Sequence, residues 1–183
     1  MSTDELAVYD ARIELIDFCI EVFHDAPTEE FLSHLLAGDM RTPEDSVNEH
    51  LDAGFEVFVG PRPPVLLHET HYRDDTEFIG EGLAEVEASY GAAGWTPPEE
   101  YPEENDFVAV ELAFLRWLVT KQREGRDETF GYERVFLDNH LMTWVDDAVA
   151  DVREETDEPL FLAAAEILAG LVEFEDEIVA QMV

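Results

Sequence analysis

The residues best suited to do chemistry crowd into VLLHETHYRDD, residues 65–75, where His68, Glu69, Thr70 and His71 follow one another. Two histidines four apart on a helix, with a glutamate beside the first, bind zinc and supply a general base for hydrolysis. Here the second histidine arrives one residue early. Positions three apart still share a helical face, but the angle at which the rings approach an ion changes, and no third ligand follows nearby. A zinc-dependent hydrolase using His68, Glu69 and His71 is therefore an alternative reading and not the leading one. Elsewhere there is no glycine-rich phosphate loop and no nucleophile with an evident base. His140 and Trp144 stand four apart on one helical pattern, which favours a hydrogen-bonded core histidine packed by a tryptophan. The sequence thus predicts no catalytic residue, no metal and no cofactor.

The elements that must position these residues are helical throughout. Leu6, Tyr9, Ile13, Ile16, Ile20 and Phe23 recur every three or four positions, the apolar face of an amphipathic helix. A second helix fits TEEFLSHLLAG, stopped by Gly38, and a third opens at Thr42-Pro43 and runs through Leu51 and Phe55 toward Phe58. VGPRPPV breaks the chain, because Pro61, Pro63 and Pro64 cannot share a helix interior. The next helix is expected from Thr76 to Gly94. WTPPEEYPEEND has no periodicity and reads as a linker. Asp106 then caps a strong helix with Val110, Phe114, Trp117 and Leu118 inward, followed by YERVFLDNHLMTWVDDAVADVREE and by a last helix with Pro159 in its first turn. The expected fold class is all-α: one helical, bundle-like domain over 1–183, with halves 1–98 and 106–183 joined by a proline-rich acidic linker, 99–105.

Composition narrows the setting. The 183 residues are 46% hydrophobic with 12 phenylalanines, enough for one core that buries about 70% of the unfolded surface. Forty-five acidic residues face ten basic ones, a net charge of −35, and Lys121 is the only lysine. A disordered acidic tail lacks such aromatics and periodicity. Acids spread along a foldable chain read as adaptation to molar salt, where the screening length is about 3 Å. That implies a halophilic cytoplasm and argues against a nucleic-acid partner, since no basic patch exists. Cys19 is the only cysteine, which excludes an intrachain disulfide. The acidic start has no secretion pattern, and no apolar run approaches the roughly 20 residues of a membrane span.

Three passages carry a family resemblance. FVGPRPPVLLHETHYRDD, PEENDFVAVELAFLRWL and FLDNHLMTWVDDAVADV occur in the order in which the Tor/Dms/Nar-type maturation chaperones of molybdenum enzymes carry similar passages. The chain resembles that family over roughly residues 55–175. In the resemblance, Glu69, Thr70 and Tyr72 fall on an aromatic-E-S-V-Y passage, which is no zinc motif. The resemblance implies a non-enzymatic cytoplasmic chaperone. It would bind the twin-arginine leader of an apo-molybdopterin oxidoreductase of the dimethyl-sulfoxide reductase type and delay export until the cofactor is inserted. A nitrate-reductase assembly chaperone is its sibling reading. The implied peptide-binding residues are Gly60, Pro61, Glu69, Tyr72, Pro102, Asp106, Phe107 and Glu111. Phe107 departs from the family's histidine and cannot make its hydrogen bonds, although apolar packing survives. Family members can exchange halves, so a homodimer of that kind is a further expectation.

In molar salt a surface arginine–carboxylate pair is worth about 0–1 kcal/mol. Leader affinity must then come from apolar burial, at about 25 cal/mol per Å². An apolar groove between the halves is expected, with Tyr72, Trp95 and Phe107 along it. Asp106 and the acids Glu99, Glu100, Glu103 and Glu104 would select arginine at short range.

Overall fold

The computed structural model describes residues 3–24, 57–58, 63–73, 80–99 and 104–183. Its elements are α1 (Thr3–His24), the single turn α2 (Glu69–Tyr72), α3 (Glu81–Ala93), α4 (Val108–Arg123), α5 (Thr129–Phe136), a π-helical turn (Leu137–Leu141), α6 (Met142–Glu155) and α7 (Pro159–Met182). The protein is all-α, and the described residues contain no strand beyond one isolated bridge between His68 and Phe107. The second and third expected helices, the Thr76 start, and Gly60, Pro61 and Pro102 lie outside the described residues.

The centre is α4. Val108, Ala109, Val110, Leu112, Phe114, Leu115, Leu118 and Val119 are all buried, so the helix is apolar on nearly every side and must be covered all round. Packing against it, α1 supplies Ile16, Cys19, Val22 and Phe23, and α5 supplies Phe130 and Phe136. α7 lies against α1, α5 and α6 with Phe161, Ala164, Ala165, Leu168 and Leu171 inward. Each fully buried leucine of this set contributes about 1.5–3 kcal/mol. The first helix therefore rests on helices of the C-terminal half.

Helix ends follow local chemistry. Gly80 at φ 83 and Gly94 at φ 78 bound α3, since both take left-handed backbone that only glycine adopts without strain. Gly80 stands at the N-cap, so the described helix runs from Glu81. Pro159 opens α7 at a position where its missing N–H is no loss. The expected single helix from Tyr132 onward begins earlier, at Thr129, and is widened at Leu137–Leu141, where five residues take the π form. None of the described helices is long and apolar enough to cross a membrane. Cys19 is fully buried, and burial pushes its thiol up to about 12, consistent with a packing role.

Candidate functional site

Residues 67–69 and 106–108 run past each other in opposite directions. Val108 N–H donates to the Leu67 carbonyl at 2.8 Å, and Glu69 N–H donates to the Asp106 carbonyl at 3.0 Å. The Asp106 side chain completes the join. Its Oδ2 accepts from Thr70 N–H at 3.1 Å and from Thr70 Oγ1 at 2.5 Å, while Oδ1 lies 3.0 Å from His68 Nδ1. This corrects the expectation that Asp106 caps the helix following it. α4 begins at Val108 with Phe107 at its N-cap and no side-chain cap. Asp106 instead caps the first turn of α2, a helix 36 residues upstream. Burial works to raise the Asp106 carboxyl, but the hydrogen bonds of His68 and Thr70 outweigh it and hold the group below its usual range.

Behind this join lies a second, fully buried group. Glu69, with no exposed surface, accepts from Arg73 Nη1 at 2.6 Å and from His140 Nδ1 at 2.9 Å. Arg73 also reaches Glu85 at 3.0 Å. His140 turns its other nitrogen, Nε2, to Ser89 Oγ at 2.8 Å. Glu111, also unexposed, accepts from Trp144 Nε1 at 3.3 Å through Oε2, and its Oε1 has no hydrogen-bond partner. Burial, reinforced by the charge of Glu69, drives the Glu111 carboxyl well above its usual range. Burial thus favours the uncharged form of Glu111.

The aromatic residues divide. Tyr72 stacks on Trp144 with ring centres 5.6 Å apart and donates its hydroxyl to Asp151 at 3.1 Å. Burial and then Asp151 raise that phenol. Trp95 meets Tyr90 edge-on at 4.8 Å and Phe114 at 5.3 Å, and the Tyr90 hydroxyl donates to the Asn105 carbonyl at 2.7 Å, tying down the linker's end. Phe107 is only 8% exposed and packs under the His68 ring. Tyr72 and Trp95 thus keep partly open rings, each in its own aromatic contact, while Phe107 belongs to the core. Of the acidic group, Glu99 and Glu104 are exposed, Asp106 is buried, and Glu100 and Glu103 lie outside the described residues.

The zinc alternative does not assemble. His68 is engaged by Asp106, Glu69 by Arg73 and His140, and His71 stands edge-on to Tyr72. Among the described residues no three histidine, cysteine, aspartate or glutamate side chains could hold a metal ion.

Of the sequence-derived site residues, the structure gathers Glu69, Tyr72, Asp106, Phe107 and Glu111 around one join, and links Trp95 to it through Tyr90 and Phe114. Sequence reasoning missed Ser89 and Arg73 as partners of the Glu69–His140 pair. The spacing of Arg73 was a usable signal, because it lies four residues after Glu69, one helical turn away. It also missed Arg12, buried on α1 with Glu133, Glu175 and Gln122.

A family model described as nitrate reductase delta subunit matches residues 24–150, a span that includes every part of this join. No curated protein and no solved structure matches the chain.

Proposed function

Because the chain belongs to the nitrate reductase delta subunit family, a family of molybdoenzyme assembly chaperones, we propose that it binds the apo form of a molybdopterin oxidoreductase. In this reading it grips the client's twin-arginine leader and delays export until the cofactor is inserted. One observation carries the placement: Asp106 clamps the Thr70 turn to the start of α4, so residues 63–73 and the linker's end form one rigid support. Glu69, Asp106 and Glu111 are buried and act as positioning groups. Contact with the leader falls to the partly open rings of Tyr72 and Trp95, together with Gly60, Pro61 and Pro102. Phe107, buried against the His68 ring, acts as a support.

The setting is a salt-loaded cytoplasm, where charge steering is screened and burial of the leader's apolar stretch supplies the affinity. If halves exchange to make a dimer, Arg12 of one protomer must find the Glu133 and Glu175 of its partner. Titration of a twin-arginine leader peptide across salt concentration tests the proposal. Affinity should persist as salt rises and fall at least tenfold in Trp95→Ala. Loss of binding with rising salt overturns the apolar mode.

The matched family's description favours a second reading, in which the client is a nitrate reductase whose N-terminus carries no exported leader. Pull-down from the host in high salt separates the two by the client recovered.

A further inference from the structure

A cleft of about 480 Å³ opens between α3 and the π-helical turn, lined by Arg73, Glu85, Ser89, Asp138, Asn139 and His140 among others. Its floor is an ordered relay. Glu69 accepts from Arg73 through Oε1 and from His140 Nδ1 at 2.9 Å through Oε2. The tautomer in which Nδ1 donates to Glu69 leaves Nε2 as an acceptor. Ser89 Oγ lies 2.8 Å from Nε2 and in that tautomer donates its proton to it. The order hydroxyl, imidazole, carboxylate, with both links at hydrogen-bond length, is the arrangement that activates a serine nucleophile. His140 and Asn139 both lie on the π-helical turn, a distortion frequent at functional sites. Ser89 keeps part of its surface open to the cleft, whereas His140 and Glu69 are sealed beneath.

We propose that Ser89, His140 and Glu69 form an acyl-accepting site for small carboxylic esters. As the Ser89 oxygen bonds to the ester carbonyl carbon, its proton passes to His140 Nε2 and the carbonyl electron pair moves onto oxygen. Collapse of that adduct breaks the bond to the leaving alkoxide, which takes the proton from Nε2. Water then attacks the acyl-serine by the same route and returns the free serine and a carboxylic acid. Asn139 lines the same cleft and offers amide hydrogens to the oxyanion. Arg73 is a positioning residue, fixing Glu69 so that Oε2 faces the imidazole. Glu85 and Asp138 also line the cleft, each paired with an arginine, Arg73 and Arg134 respectively. This activity is independent of client binding.

The test uses the full chain in high salt. A fluorophosphonate probe should give one adduct, on Ser89, and p-nitrophenyl acetate should be hydrolysed at least tenfold faster than by Ser89→Ala. That variant preserves the fold, because alanine suits a helix interior better than serine. Ser89→Cys provides a second readout. Cys19 is buried and inert, so iodoacetamide reports on position 89 alone, and alkylation should set in at a pH below that of an ordinary thiol, about 8.5. A parent that neither labels nor hydrolyses above Ser89→Ala, an adduct on another residue, or a thiol that titrates ordinarily overturns the proposal.

Discussion

Arg12 on the first helix and Glu175 on the last form an ion pair with almost no exposure, Nε to Oε2 at 2.9 Å, across 163 residues of chain. The same guanidinium reaches Gln122 Oε1 at 2.9 Å and Glu133 Oε1 at 2.9 Å, so one cation ties α1 to α4, α5 and α7. Burial works against its charge, but Glu175 and then Glu133 outweigh that and keep it protonated. Buried pairs of this kind fix which helices meet more than they stabilise, because desolvation consumes most of the attraction.

Arg12→Leu should therefore be severely destabilising, by about 3–5 kcal/mol, because the buried Glu133 and Glu175 lose the guanidinium that joins them. Replacing the set together, as Arg12→Met, Glu133→Leu and Glu175→Met, should recover most of that loss. Urea denaturation at fixed high salt measures both. A mild effect of the single change would mean that the acids reach water on their own.

Glu133 supplies a pH signature. Burial, with Glu175 adding to it against the opposing pull of Arg12, raises its carboxyl to about 8 from an ordinary 4.5. The folded protein therefore holds a proton that the unfolded chain has released over that interval. Its contribution is full below about 4.5 and is lost as pH rises through about 8. Thermal unfolding in constant salt should show stability declining across this window. Glu133→Gln should flatten the decline, leaving only the part due to Glu111, which is shifted in the same direction. An unchanged slope in the variant would assign the proton elsewhere.

The role of Asp106 follows from its three hydrogen bonds. Asp106→Ala removes the Oδ2 that accepts from both Thr70 N–H and Thr70 Oγ1 and should cost about 1.5–3 kcal/mol, the range for hydrogen bonds to a charged group. Amide exchange at Thr70 should accelerate far more than exchange in α7. Asp106→Asn keeps an acceptor for Thr70 and should lose less than half as much. If it loses as much as alanine, the charge facing His68 dominates and the capping contact is secondary.

Much of this was legible in the chain. The stripe from Tyr9 to Phe23 and the Pro159 start of α7 could be read because a 3.6-residue period and a missing N–H leave local traces. The resemblance also drew attention to Glu69, Asp106 and Glu111. Partnerships were not legible, since Asp106 caps a turn far upstream and nothing near it in sequence says so. Buried acids were also hidden: in a chain with 45 of them, type carries no information. Position does. Glu111 sits three after Val108 and four before Leu115, Glu133 three from both Phe130 and Phe136, and Glu175 four from both Leu171 and Val179, all on apolar stripes. Arg12, four before Ile16, broke the α1 stripe in the same way. The π-helical turn left no trace that periodicity could detect.

Glu111 gives the sharpest test of that positional reasoning. Its carboxyl is fully buried, accepts from Trp144 Nε1, and is raised by burial and by the neighbouring charge of Glu69. A neutral carboxylic acid and a carboxamide have nearly the same shape, and the amide oxygen can accept from Trp144 as the acid does. Glu111→Gln should therefore match the parent in acid, where Glu111 is protonated in both the folded and the unfolded chain. As pH rises above the ordinary 4.5, the unfolded parent ionises while the folded group keeps its proton, so the parent loses stability until the folded group ionises as well. The glutamine cannot ionise, so the two should diverge as pH rises from that point, with the variant the more stable. Melting curves of both proteins at matched salt, from mildly acid into alkaline pH, measure the divergence. A variant already much weaker at pH 7 would show that Glu111 is charged in the fold and that Trp144 holds a carboxylate.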